Sequence, residues 1–179
     1  MKFLQIVPLP VADPEIGRWL WALEETRKRT LNLSRGLGQN ILDWEGPDGL
    51  ENSIGSLLFH LALIEMDWLF RDLLGREIPP EVLREFPNTQ DREAGRLVRV
   101  PGISFERHEA RLLSTRQVFL AEFKEMPPSR WRHLCQPVDR PDYECTPEWV
   151  VFHLVEHEAG HAHQISALLT RARKHFEGK

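Results

Sequence analysis

The stretch His153-Leu154-Val155-Glu156-His157-Glu158-Ala159-Gly160-His161-Ala162-His163-Gln164 holds four of the eight histidines in the chain. Around it run Trp149, Val150, Val151, Phe152, Ile165, Leu168 and Leu169, an apolar setting for so many polar rings. Upstream, Thr146-Pro147-Glu148 is a helix start: a hydroxyl cap, proline at the first helical position and an acid at the positive pole. Downstream, Arg171, Arg173, Lys174 and His175 suit the negative pole. The spacing predicts a last helix over 147–174.

On that helix, positions four apart recur after one turn plus about 40°, so His153, His157 and His161 form a drifting stripe on one face. Imidazoles one turn apart can grip the same ion, whereas His153 and His161 lie about 12 Å apart along the axis, too far to share one. The motif therefore supplies two ligands, and a third must come from elsewhere. Three imidazoles on a core-facing stripe are costly to desolvate unless something binds their nitrogens. A metal ion is the simplest such partner, and hydrogen bonds across the bundle or to water are the alternative. His163 falls about 200° round from His161 and reads as a surface or interface residue.

Outward from this segment the chain is helical. Asp13-Pro14-Glu15 starts a first helix over 14–36, with Ile16, Trp19, Leu20, Leu23, Thr26, Thr30 and Leu33 at three- and four-residue spacing. Asn52-Ser53 caps a second that runs through Ile54, Leu57, Leu58, Leu61, Ile64, Glu65, Trp68, Leu69 and Leu73 to Gly75. His60 lies mid-way along it; alone it reads as a core histidine, but beside a helix short of one ligand it is the candidate third. Residues 76–103 are charged and carry prolines, a connection too long for a tight turn and so a crossover. A third helix covers 104–125, with His108 near its start as a surface or rim residue. Residues 129–145 form a short hairpin or an ordered loop. Four long helices without a strand pattern predict an all-α four-helix bundle, 1–179 forming one domain, and bundles build metal sites from side chains on facing helices.

Composition narrows the function. The net charge is −4 over 179 residues, with no basic block, so no nucleic-acid surface is expected. The lead-in MKFLQIVPLP is broken by two prolines and is no signal peptide, and no apolar run spans a membrane. A cytoplasmic protein is expected. Cys135 and Cys145 are neither a zinc pair nor a disulfide framework; two free thiols are expected, and a bridge stays open if the segment between them is a hairpin.

His157-Glu158-Ala159-Gly160-His161 spells H-E-x-x-H, the zinc-protease pattern in which the glutamate is the base. The longer form fails, with Gln164 at its glycine position and Ala167 at its last histidine, and Glu177 is the sole acid downstream. A protease is not expected.

The segment Asn52-Ser53-Ile54-Gly55-Ser56-Leu57-Leu58-Phe59-His60-Leu61-Ala62, taken with His157-x-x-x-His161-x-x-Gln164, resembles the DinB-like (DinB/YfiT) family of metal-binding bundles over nearly the whole chain. The resemblance implies an up-down-down-up bundle with its long crossover between the second and third helices, often a homodimer. It also implies one divalent metal ion held by His60, His157 and His161, with zinc or nickel expected and iron or manganese as alternatives. His153 matches a frequent family histidine that is not counted as a ligand. The family ending resembles H-x-x-H-H-R-G-Q; here Gly160, Ala162 and His163 depart from it, which removes the arginine and weakens any inference about substrate.

A three-histidine site leaves coordination positions open, as in catalytic centres. Through the resemblance, the leading expectation is a thiol S-transferase in which the metal activates a low-molecular-weight thiol, such as bacillithiol or mycothiol, for attack on a small-molecule electrophile. A hydrolase using metal-activated water is the alternative, with Glu158 or Glu65 as base, although both read more simply as surface carboxylates. A non-catalytic, stress-related metal-binding bundle is the third reading. Among the six tryptophans, Trp44 and Trp68 are candidates for a substrate pocket, against filling the core or a dimer interface.

Overall fold

Helix α1, Pro14–Ser34, starts where Asp13 Oδ1 accepts from the backbone N–H of Glu15 at 2.8 Å and of Ile16 at 3.4 Å. The computed structural model describes residues 3–178, so the first two residues of the lead-in, like Lys179, lie outside it. α1 buries Ile16, Leu20, Leu23, Thr26, Arg27, Thr30 and Ser34, one stripe of three- and four-residue steps. Gly17 lets the lead-in cross it closely: a β-carbon there would stand 2.5 Å from the Leu9 carbonyl oxygen. Gly36, at φ 75°, turns the chain out of the helix in the left-handed conformation that glycine tolerates best.

A four-residue helix, α2, Gln39–Leu42, follows, and then α3, Ile54–Asp67, capped by Ser53 Oγ, which accepts from Ser56 N–H at 3.1 Å. The predicted run to Gly75 is continuous, but Trp68–Leu73 winds as a wider π turn, with Leu74 N–H reaching back five residues to Leu69 O at 3.1 Å. The crossover is more ordered than the sequence implied. It contains α4, Pro80–Leu83, and a hairpin of β1, Arg92–Glu93, and β2, Arg96–Leu97, closed through Ala94 and Gly95, both at positive φ. Buried Phe86, Leu97, Val98 and Val100 anchor it, and Leu97 N–H donates to Asn52 Oδ1 at 3.0 Å.

The third long helix, α5, spans Phe105–Phe123, capped by Ser104. Between it and the last helix lie α6, Pro128–Trp131, and an antiparallel bridge that pairs Cys135 with Cys145 through N–H···O bonds of 2.8 and 3.2 Å. Of the two expectations for this segment the ordered loop fits, closed by one isolated bridge and not by paired strands, and among the described residues both thiols are free. α7, Pro147–Glu177, begins on Thr146, whose Oγ1 accepts from Trp149 N–H at 3.1 Å.

Side-chain pairings give the directions. Trp19 meets Phe152 and Arg27 meets Glu158, so α1 and α7 are parallel. His60 meets His157 while Trp68 meets Trp149, so α3 runs against α7. His108 lies by Gly55 and Arg116 by Glu65, so α5 is parallel to α3. The result is the expected all-α, up-down-down-up bundle with residues 76–103 as its crossover. Among the described residues no helix is long and apolar enough to cross a membrane.

Two expectations about charged and titratable groups are overturned. Glu65 and Glu158 are not surface carboxylates; they are 1% and 2% exposed. Glu158 Oε1 accepts from Arg27 Nε at 2.8 Å and its Oε2 from Arg116 at 3.3 Å, while Glu65 accepts from Arg116 Nε at 2.5 Å and from Arg27 at 3.4 Å. Each of the four long helices thus contributes one member to a closed ring of alternating charge. Buried carboxylates stay ionised only when paired in this way. Burial works to raise the Glu158 carboxyl, but Arg27 and Arg116 outweigh it and hold the group below the ordinary glutamate range. His108, expected at the rim, is fully buried. Its Nδ1 faces Arg111 at 3.4 Å, and its Nε2 has no partner among the described residues.

Candidate metal centre

α3 delivers His60 and α7 delivers His157 and His161 from consecutive turns, and the ligand-type atoms of all three lie within 4.8 Å of one another. His157 Nε2 is 3.1 Å from His60 Nε2 and 3.1 Å from His161 Nε2. The outer nitrogens decide the protonation pattern. His60 Nδ1 lies 2.5 Å from Asp91 Oδ1, and His161 Nδ1 lies 2.9 Å from Gln164 Oε1. Both partners are acceptors, so both imidazoles carry their proton on Nδ1 and turn a lone pair inward. Three Nε2 atoms therefore converge with at most one proton, that of His157, among them. A cation satisfies all three at once, and nitrogens bound at about 2.0–2.1 Å in a tetrahedral site stand about 3.3 Å apart, close to the spacing found here.

The electrostatics keep the two α7 rings neutral and ready to bind. Burial, followed by the charges that His161, His60 and His153 would carry, pushes His157 down to about 3. Burial also lowers His161. Asp91 is held below the ordinary aspartate range, first by its hydrogen bond from His60, so it remains an ionised acceptor.

The other residues singled out in the sequence take other places. His153 instead stacks on Trp149, ring planes 3° apart and centroids 5.0 Å apart, and also contacts Trp68 at 4.8 Å. His163 is exposed, as expected. Glu158, the glutamate of the H-E-x-x-H pattern, turns into the charge ring. Trp44 packs on His175 with the Arg171 guanidinium over it, away from the three histidines. Asp91 was invisible in the sequence: it sits on an irregular segment, and only the fold brings it to His60. Gln164 was legible, one turn beyond His161 on the same stripe.

The sequence profile of the DinB superfamily matches residues 22–165, a span that contains all three histidines and both of their acceptors. The chain belongs to the DinB superfamily. A search of curated proteins gives no match. For a DinB protein the bundle and the three-histidine group agree with the resemblance drawn from the sequence, and this group can hold a metal ion.

Proposed function

We propose that His60, His157 and His161 hold one divalent metal ion, zinc or nickel by preference, and that this DinB protein is a metal-dependent enzyme of the thiol S-transferase type. The observation that carries the metal is the proton count: two lone pairs fixed inward by Asp91 and Gln164, and a third ring that can offer at most one hydrogen. Three imidazole ligands leave coordination positions free for a substrate, and the ion's contribution when bound is Lewis acidity that favours the thiolate form of a thiol.

The protein's own part is positional. Asp91 holds the His60 proton on Nδ1 and Gln164 does the same for His161, so neither ring can turn its N–H toward the centre. The arginine of the family ending is absent, and the thiol must be recognised by other groups. Hydrolysis is the weaker reading, because Glu65 and Glu158, the carboxylates it would use as base, are occupied by Arg27 and Arg116.

Metal content by mass spectrometry on untagged protein tests the centre. Wild type and His153→Ala should carry one ion per chain, and His60→Ala, His157→Ala and His161→Ala should lose it. Loaded protein should then join low-molecular-weight thiols to an electrophile such as 1-chloro-2,4-dinitrobenzene, and His157→Ala should not. Failure of wild type to take up zinc, nickel, iron or manganese sinks the metal; tight binding without turnover on a panel of thiols and electrophiles leaves a non-catalytic bundle.

A further inference from the structure

Trp149 is 44% exposed and Leu134 is 54% exposed, an unusual amount of apolar surface to leave in water at one place. They flank a cavity of about 520 Å³ whose other walls include Trp68, Tyr143 and Cys145, with Glu144 the one charged side chain in the described lining. That volume lies in the range of small-molecule sites, which are mostly apolar with few polar groups.

The walls are held in place before anything binds. Trp149 lies flat against His153, and Trp68 meets both, at 5.4 Å from Trp149 and 4.8 Å from His153. Tyr143 packs 6.3 Å from Trp68 and its hydroxyl donates to Asp72. Cys145 is fixed through its backbone pairing with Cys135. Its thiol, pushed up by burial to about 12, is a protonated apolar wall and not a nucleophile. No cationic side chain lines the cavity among the described residues, so nothing there recognises an anion. What the walls match is a flat, uncharged π surface, which gains from offset or edge contact with indole and phenol rings.

The position matters as much as the lining. Trp149, His153 and His157 occupy successive turns of α7, so the Trp149 wall of the cavity lies about 12 Å along the helix from His157, the nearer of the two α7 ligands. The His153 ring, which packs on Trp149 and Trp68 of the cavity wall, stands 5.8 Å from His157 on its other side. We propose that this cavity binds an uncharged planar aromatic ring, and that the ring belongs to the molecule whose other end reaches the three-histidine centre. The second half of that statement rests on the metal reading above; the first does not.

The test titrates metal-free protein with N-phenyl-1-naphthylamine, whose fluorescence rises in apolar surroundings. Wild type and His157→Ala should bind one probe per chain alike. Trp149→Ala should bind at least tenfold more weakly, with unchanged circular dichroism because that indole is half exposed, and Leu134→Ser should weaken binding less. Absence of saturable binding, or equal binding by Trp149→Ala, overturns the aromatic site. So does a fall in mass by light scattering in Trp149→Ala, which would mean that a second copy covers the cavity. A naphthyl group joined to a hydroxamate by a linker of about 12 Å then tests the connection. It should bind zinc-loaded protein at least tenfold more tightly than metal-free protein, and the gain should vanish in His157→Ala. If zinc loads and no gain appears, the ring site stands alone and its link to the centre is overturned. If zinc does not load, the metal reading fails while the naphthylamine result still stands.

Discussion

Asp91 Oδ1 lies 2.5 Å from His60 Nδ1, and through this contact the long crossover reaches the one inward histidine that α3 supplies. Asp91→Ala should weaken zinc binding by about 10- to 100-fold, the usual cost of losing the acceptor behind a ligating histidine. Asp91→Asn, which can keep an acceptor oxygen, should retain more of the affinity. Competition against a chelator of known affinity measures both. Equal affinity in wild type and Asp91→Ala would mean that the crossover does not orient His60.

Glu158 neighbours His157 in sequence but serves the charge ring. Glu158→Ala leaves Arg27 and Arg116 with Glu65 as the one buried carboxylate between them, and breaking a buried ion pair from one side costs about 3–5 kcal/mol. Urea unfolding should show that loss, with metal uptake kept in the protein that remains folded. Unchanged stability with abolished turnover would restore Glu158 as a catalytic base.

His108 makes the fold sensitive to acid. Burial, then the Arg111 charge, lowers its pKa from 6.5 to about 4, so the neutral ring is the folded form. Below pH 6.5 the unfolded chain takes up a proton that the folded chain refuses. This contribution is therefore complete above pH 6.5 and is lost progressively down to about pH 4, where the loss amounts to about 3 kcal/mol. Stability measured across that window should fall less steeply in His108→Phe than in wild type. Parallel pH profiles would rule His108 out as the source.

Gly160 sits inside α7, between two inward histidines, and a β-carbon there would meet nothing within 4 Å. Gly160→Ala should therefore raise stability by about 0.5–1 kcal/mol through helix propensity alone, with metal content unchanged. A loss of metal in this variant would show that the turn between His157 and His161 needs glycine's freedom.

Much of the bundle was legible because its signals are local. The three caps Asp13, Ser53 and Thr146 all accept the backbone bonds expected of them, and the histidine stripe of α7 needs only helical geometry. His60 was reached by asking what that stripe lacked. The misses are contacts between distant segments. Glu65 and Glu158 look like solvated charges until the arginines that neutralise them are known, and those arginines come from other helices. Arg27 itself stands one helical turn beyond Leu23 and three residues before Thr30, so its inward position was periodic and readable; a charge there is what argued against it. His108 misled for the same reason, being a polar ring near a helix start. Asp91 has no periodic setting at all.

The charge ring has a consequence for alignment. Apolar side chains tolerate a helix sliding past its neighbour by one turn, about 5.4 Å, because one ridge then replaces the next. Four charges that alternate from helix to helix do not, since sliding any one helix breaks two ion pairs together. Glu158 is adjacent to His157, and Glu65 lies little more than a turn from His60, so the same fastening that fixes α3 against α7 sets the height at which the three imidazoles meet.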